Sequence, residues 1–117
     1  MFIICIMAKK TYKYNDGGRV WTIVLHYARY QHGNGLALLL YDIDEDGLEE
    51  PFATVTVNLP DVLPASDGCA FVDENNLPGI GKWLEDNGIA KATNRIEPCG
   101  FCLYPEYEFA LEGVKFD

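Results

Sequence analysis

Cys99-Gly100-Phe101-Cys102 holds two thiols at the two-residue spacing of thioredoxin-like redox motifs, where the first thiol is activated at a helix amino terminus. Leu103-Tyr104-Pro105 follows, and a proline there opposes a helix, so the spacing stands without its usual context. A structural zinc centre wants four ligands. The chain supplies this pair with Cys5, Cys69, His26 and His32 scattered elsewhere, and the plainer role for the cysteines is as small buried hydrophobes. Asp42-Ile43-Asp44-Glu45-Asp46-Gly47 opens as a calcium loop does, with alternate carboxylates and a glycine for the sharp turn. The closing bidentate glutamate would fall where Ala53 stands, and Pro51-Phe52 starts an extended run instead of an exiting helix, which rejects an EF-hand. Glu49 or Glu50 could complete a looser site, but an acidic hairpin tip with an Asp-Gly turn accounts for the same residues. No metal or other cofactor is expected. Asp42, Asp44, Glu45, Asp46, Glu49 and Glu50 are instead a candidate acidic interaction surface, and Tyr104 and Tyr107 a candidate aromatic anchor.

Other chemistry is weaker. His26 alternates within an extended stretch and reads as a packed sheet histidine, while His32 beside Gly33 is a turn residue. Arg95 reads as the partner of an acidic neighbour. Gly79 and Gly81 do not make a phosphate loop, because no Gly-Lys-Ser or Gly-Lys-Thr follows and no strand leads into them. No serine, cysteine or threonine sits in a nucleophile-elbow context, so no catalytic residue can be named and a non-enzymatic protein is expected.

The elements that position these residues read as strands around one helix. The pattern predicts a helix over about residues 77–87: Asn76 caps it, Pro78 pre-sets φ in the first turn, and Gly88 supplies a left-handed stop. Leu77, Ile80 and Leu84 form its inner face, with Trp83 beside them, opposite Lys82, Glu85 and Asp86. Thr11 to Tyr14 and Val20 to Tyr30 flank the turn Asn15-Asp16-Gly17-Gly18, and the second run is β-branched and aromatic. Within it Trp21, Ile23, Leu25 and Tyr27 share one face, and Trp21 is expected to be mostly buried. Leu36 to Tyr41 suits a central strand, and Phe52 to Leu59 alternates with Ala53, Val55, Val57 and Leu59 inward and Thr54, Thr56 and Asn58 outward. Cys69 to Val72 is a short apolar piece ahead of the helix, and Thr93 to Glu97 and Phe101 to Leu111 are extended. Strands, one helix, then strands give an α+β fold, mainly an antiparallel meander with the short helix packed on it.

Asn87-Gly88-Ile89-Ala90-Lys91-Ala92-Thr93-Asn94-Arg95 and Gly100-Phe101-Cys102-Leu103-Tyr104-Pro105-Glu106-Tyr107-Glu108-Phe109 resemble the carboxy-terminal signature of a family of uncharacterised small bacterial proteins, a domain of unknown function. The family pattern more often has proline where Ala92 stands, glycine at Asn94 and a small polar residue at Cys99. The resemblance implies an α+β fold and a setting on mobile elements of anaerobic Gram-positive bacteria, with no assigned activity.

A chain of 117 residues that is 49% hydrophobic suits one globular domain over 1–117, able to bury a core without metal or disulfide staples. Either Phe2 to Ile6 in residues 1–7 is an extra N-terminal strand or the initiator is Met7. That apolar run is too short to span a bilayer, and a cytoplasmic location with free thiols is expected. Residues 1–35 carry five basic and one acidic side chain, so with nine basic and eighteen acidic in all, the remainder has four and seventeen, or −13. Such a field disfavours direct nucleic-acid binding and favours a basic protein surface as partner. The leading expectation is an accessory protein of a mobile element that binds another protein through its acidic surface. The alternatives are a nucleic-acid-mimicking inhibitor of a host defence enzyme, a calcium- or zinc-binding module, and an enzyme whose site the sequence does not display.

Overall fold

The computed structural model describes residues 10–117, so the expectations for residues 1–7 lie outside the described part. The first hairpin closes on Gly17-Gly18, whose φ values of 60° and 90° match the right-handed strand twist that glycine tolerates. It joins β1 (Tyr12–Asp16) to β2 (Arg19–Arg29), with Asp16 opposite Arg19. From there β3 (Leu36–Ile43) and β4 (Glu49–Thr54) follow antiparallel, giving a four-stranded sheet in the order β1-β2-β3-β4, the expected meander. A bulge between Leu40 and Tyr41 pairings leaves Phe52 without an opposite residue, and Pro51 sits harmlessly on the edge strand.

The run expected as one strand, Phe52 to Leu59, belongs to two sheets. Val55 is the crossing point: its N–H donates to the Leu38 carbonyl and its carbonyl accepts from Asp73 N. After it β5 (Thr56–Val57) joins β6 (Cys69–Val72), β8 (Cys102–Phe109) and β7 (Ala90–Cys99) in a second antiparallel sheet of order β5-β6-β8-β7. Thr56, expected outward, is buried because its hydroxyl accepts the Leu38 N–H at 3.1 Å and meets Tyr30 Oη at 2.9 Å. The change of sheet follows from these bonds, since Thr56 supplies with its side chain what the next ladder position would supply with backbone.

Helix α1 spans Ile80–Asp86 and is shorter at both ends than the expected 77–87. Asn76 does not cap it. Gly79 adopts φ 85°, which breaks the preceding turn, and the Glu74 carboxylate accepts the Gly79 and Gly81 N–H groups. Asp73 in turn accepts the Asn76 backbone N–H at 3.2 Å and its side-chain amide N–H at 2.8 Å, tying down the turn before the helix. Gly88, at φ 68°, stops the helix as expected. Ile80 and Leu84 are fully buried, while Leu77 packs on the core from a partly exposed position.

One core lies among the two sheets and the helix, with Ile23, Tyr27, Leu38, Val55, Val72 and Leu84 among its members. Trp83 fixes the helix to β1: its indole N–H donates to the Lys13 carbonyl at 2.7 Å, and its ring meets Tyr14 edge-on at 5.2 Å. Trp21 packs against the core from a partly exposed position, so most but not all of its surface is covered, as expected. It lies toward the turn end of β2, with the Phe52 ring at 5.0 Å and the Arg19 guanidinium over its ring at 3.7 Å. Beyond the last β1 partner, Ile23, the chain terminus fills the free edge of β2: Phe116 bridges Tyr27 in parallel and Asp117 N donates to the Tyr27 carbonyl.

Candidate functional site

The β7–β8 hairpin carries most of the distinctive residues, and a bulge at its root determines how they are held. Ala92 lies opposite Tyr107 and Ile96 opposite Pro105, so Thr93, Asn94 and Arg95 together face Glu106 alone. Asn94 absorbs the excess at φ 71°, a conformation that asparagine tolerates and glycine tolerates better.

The bulge turns Thr93 and Arg95 onto Glu106, which is 1% exposed. The Glu106 carboxylate accepts Thr93 Oγ1 at 2.7 Å, the Ala65 N–H at 2.9 Å and Arg95 Nη1 at 3.4 Å. Arg95 also reaches the Leu63 carbonyl at 2.9 Å and Glu97 at 3.1 Å, and its guanidinium stands 5.3 Å from the Phe71 ring centre. A buried carboxylate needs this many donors to remain in place. The cluster ties the loop before β6 to the second sheet, and the sequence reading of Arg95 as an ion-pair partner agrees with it. Glu106 has no alternating or motif signal that marks it, because its partners arrive through the bulge.

Beyond the bulge the hairpin has two unlike faces. Ile96 pairs with Pro105 and Pro98 with Leu103, which by strand alternation places all four on one side. Ile96 is 56% and Leu103 60% exposed, and Phe101 at the tip is fully exposed. The opposite side carries Glu97, Cys99, Cys102 and Tyr104, all half-buried. Tyr107 is not an exposed anchor: it is buried, with its phenol against Gly81 of the helix. Tyr104 keeps partial exposure, and its phenol pKa is raised above 10.0, by desolvation first and then by the neighbouring Cys102. Phe101 at the tip is the fully exposed aromatic of this hairpin, which the sequence reading did not single out.

The acidic residues divide. Asp44, Glu45, Asp46 and Glu50 are exposed and Asp42 is half-exposed, but Asp44 is occupied locally: its Oδ1 accepts the Asp46 and Leu48 N–H groups, both at 2.9 Å. The turn is thus organised by its own carboxylate. Asp42 to Asp46 line, with Arg19, Trp21 and Thr22, a shallow groove of about 420 Å³. Glu49 leaves this group and turns onto His26. His26 is held between Glu49 on Nε2 and Asp117 on Nδ1, at 2.9 Å for the second, with its ring 4.3 Å from that of Tyr41. Burial lowers its pKa, but the two carboxylates outweigh burial and the net direction is upward from 6.5. The sequence reading of a packed sheet histidine holds for its place in β2 and misses this clamp, whose second carboxylate lies ninety-one residues away. Among the described residues no group of three or more histidine, cysteine, aspartate or glutamate side chains is placed to hold a metal ion, and no helix is long and apolar enough to cross a membrane.

Residues 24–116 match the family model described as Domain of unknown function (DUF4313). The chain belongs to this family. The match runs from the middle of β2 to the terminal bridge on Tyr27, so the DUF4313 region contains the bulge, the hairpin, the acidic turn, and His26 with Glu49, while Asp117 lies one residue beyond it. No curated protein and no solved structure matches the chain.

Proposed function

We propose that this DUF4313 protein is a non-enzymatic binding domain that engages a basic protein surface, with the β7–β8 hairpin as its contact and the acidic turn as its electrostatic guide. The observation that carries the reading is the outward face of the hairpin, where Ile96, Pro98 and Leu103 lead to a fully exposed Phe101. Singly exposed apolar residues are ordinary, but an aligned apolar strip ending in an aromatic tip is the form an interface anchor takes. Charge selects the partner. The net charge of −9 and the exposed Asp44, Glu45, Asp46 and Glu50 favour a partner whose contact region is basic. The anchored root supports the same role, because the Glu106 cluster holds the hairpin rigid and reduces the ordering cost on binding. A reducing, cytoplasmic setting is part of the proposal and is supported by the free thiols of Cys69, Cys99 and Cys102. Its accessory role on a mobile element rests on the resemblance alone.

Co-purification from the native host with parallel baits tests this. The wild-type chain should recover a stoichiometric partner with a basic surface, more strongly at low salt. Phe101→Ser with Leu103→Ser should lose it by a factor of about 30 or more, as expected for an aromatic hot spot. Charge-neutral substitution of Glu45, Asp46 and Glu50 should slow association and flatten its salt dependence. Equal recovery by all baits, or a partner without a basic surface, overturns the proposal.

A further inference from the structure

We propose that Cys99 and Cys102 form a reversible dithiol–disulfide pair at the tip of the β7–β8 hairpin, exchanging with low-molecular-weight disulfides. The sequence gives only their spacing. The structure places them as direct register partners, the last residue of β7 opposite the first of β8, with Gly100-Phe101 as the turn. Both are free and half-exposed, whereas Cys69 is buried. Opposite residues in an antiparallel pair have Cα atoms about 4.5 to 5.5 Å apart, inside the range of about 4.4 to 6.8 Å that a disulfide spans. Their Cβ atoms point to the same side, about 4.5 to 5.5 Å apart, against about 3.5 to 4.5 Å in a disulfide. A closure of about 1 Å, at a tip where the turn glycine already lies at φ 61°, therefore brings the sulfurs to bonding distance. Because the bond must pull the strands together and is open to solvent, it belongs with easily reduced disulfides and not with structural ones. Tyr104, two residues on in β8, lies on the same face of the hairpin as Cys102.

The step balances without a metal or cofactor. One thiolate attacks a sulfur of glutathione disulfide, the S–S bond breaks, and one glutathione leaves as thiolate and takes up a proton. The second cysteine, losing its proton, attacks the cysteine sulfur of the resulting mixed disulfide, the bond to glutathione breaks, and the second glutathione leaves as thiolate and takes up that proton. One disulfide and two protein thiols become one protein disulfide and two glutathione thiols.

The test is equilibration of the full native chain in glutathione buffers of graded ratio, followed by acid quench, trypsin and mass spectrometry. Cys99 and Cys102 fall together between Arg95 and Lys115, so ring closure appears as a loss of about 2 Da from one peptide. The expected result is closure of this peptide with a midpoint that shifts at least about tenfold in glutathione ratio when the chain is equilibrated in urea, because the hairpin register no longer holds the thiols opposite. Cys99→Ser should instead accumulate a single glutathione adduct on Cys102. The proposal is overturned if both thiols stay free under fully oxidising buffer, if each carries its own glutathione without closure, or if the native and urea midpoints coincide. Zinc retained by the pair through gel filtration, with closure blocked, also overturns it.

Discussion

Gly81 shows how one residue serves two demands. A side-chain carbon added there would collide with the Tyr107 hydroxyl and crowd the Glu74 carboxylate, so the helix approaches β8 and its own capping residue only because position 81 is bare. Gly81→Ala gains up to about 1 kcal/mol of helix propensity. The overpacking should cost more, and we expect a net loss of about 1 to 3 kcal/mol in urea unfolding; a stabilised variant would mean that the contact is not maintained. His26 is a second case. Its folded-state pKa is raised above 6.5, so it takes up a proton on folding near neutrality. The stability it contributes is then complete below about pH 6.5 and is lost as the pH rises through the folded value. An NMR titration should place the His26 midpoint above 6.5, and His26→Asn should flatten the fall in Tm between acid and alkaline buffer. A midpoint below 6.5 would show that burial, not Glu49 and Asp117, governs the ring.

At the scale of elements, α1 has seven residues and would not be helical by itself. Its stability comes from Ile80 and Leu84, which have no exposure, and from the Trp83 bond to β1. Leu84→Ala should destabilise by about 2 to 5 kcal/mol. Lys82→Ala should change stability by less than about 0.5 kcal/mol, because its ion pair with Asp86 is solvent-exposed. Equal losses would contradict the packing. The bulge in β7 is a test of backbone conformation. Asn94→Val should cost about 1 to 3 kcal/mol, since a β-branched residue is strained at φ 71°, whereas Asn94→Gly should be neutral or slightly stabilising.

For the whole molecule the question is what its acidity is for. Six carboxylates between Asp42 and Glu50 suggest from sequence a loop kept open by repulsion unless a cation neutralises it. In the structure Asp44 closes the turn and Glu49 faces His26, so the exposed charge is smaller and more ordered than the sequence alone implies. Millimolar calcium should therefore raise Tm no more than magnesium does, and Asp44→Asn, which keeps an acceptor for the two amides, should alter neither response. Selective micromolar calcium binding, abolished by Asp42→Asn or Asp44→Asn, would favour a metal-binding domain over a protein-binding one.

Local chemistry was enough to read the strands, the Gly17-Gly18 turn, the inner face of Ile80 and Leu84 and the stop at Gly88, because alternation, helical spacing and turn residues act over a few positions. It also placed an acidic turn around Glu45-Asp46-Gly47, although Asp42 and Ile43 still belong to β3, and it put the two cysteines near one another. What depended on distant partners was not legible: the change of sheet at Val55, the burial of Glu106 and Tyr107, the placement of Glu49 and Asp117 on His26, and the exposure of Phe101. Each is decided by which surface is already covered when the second sheet meets the first. That is a property of the closed molecule, where a buried hydroxyl, carboxylate or phenol is tolerated only if the rest of the chain delivers its partner.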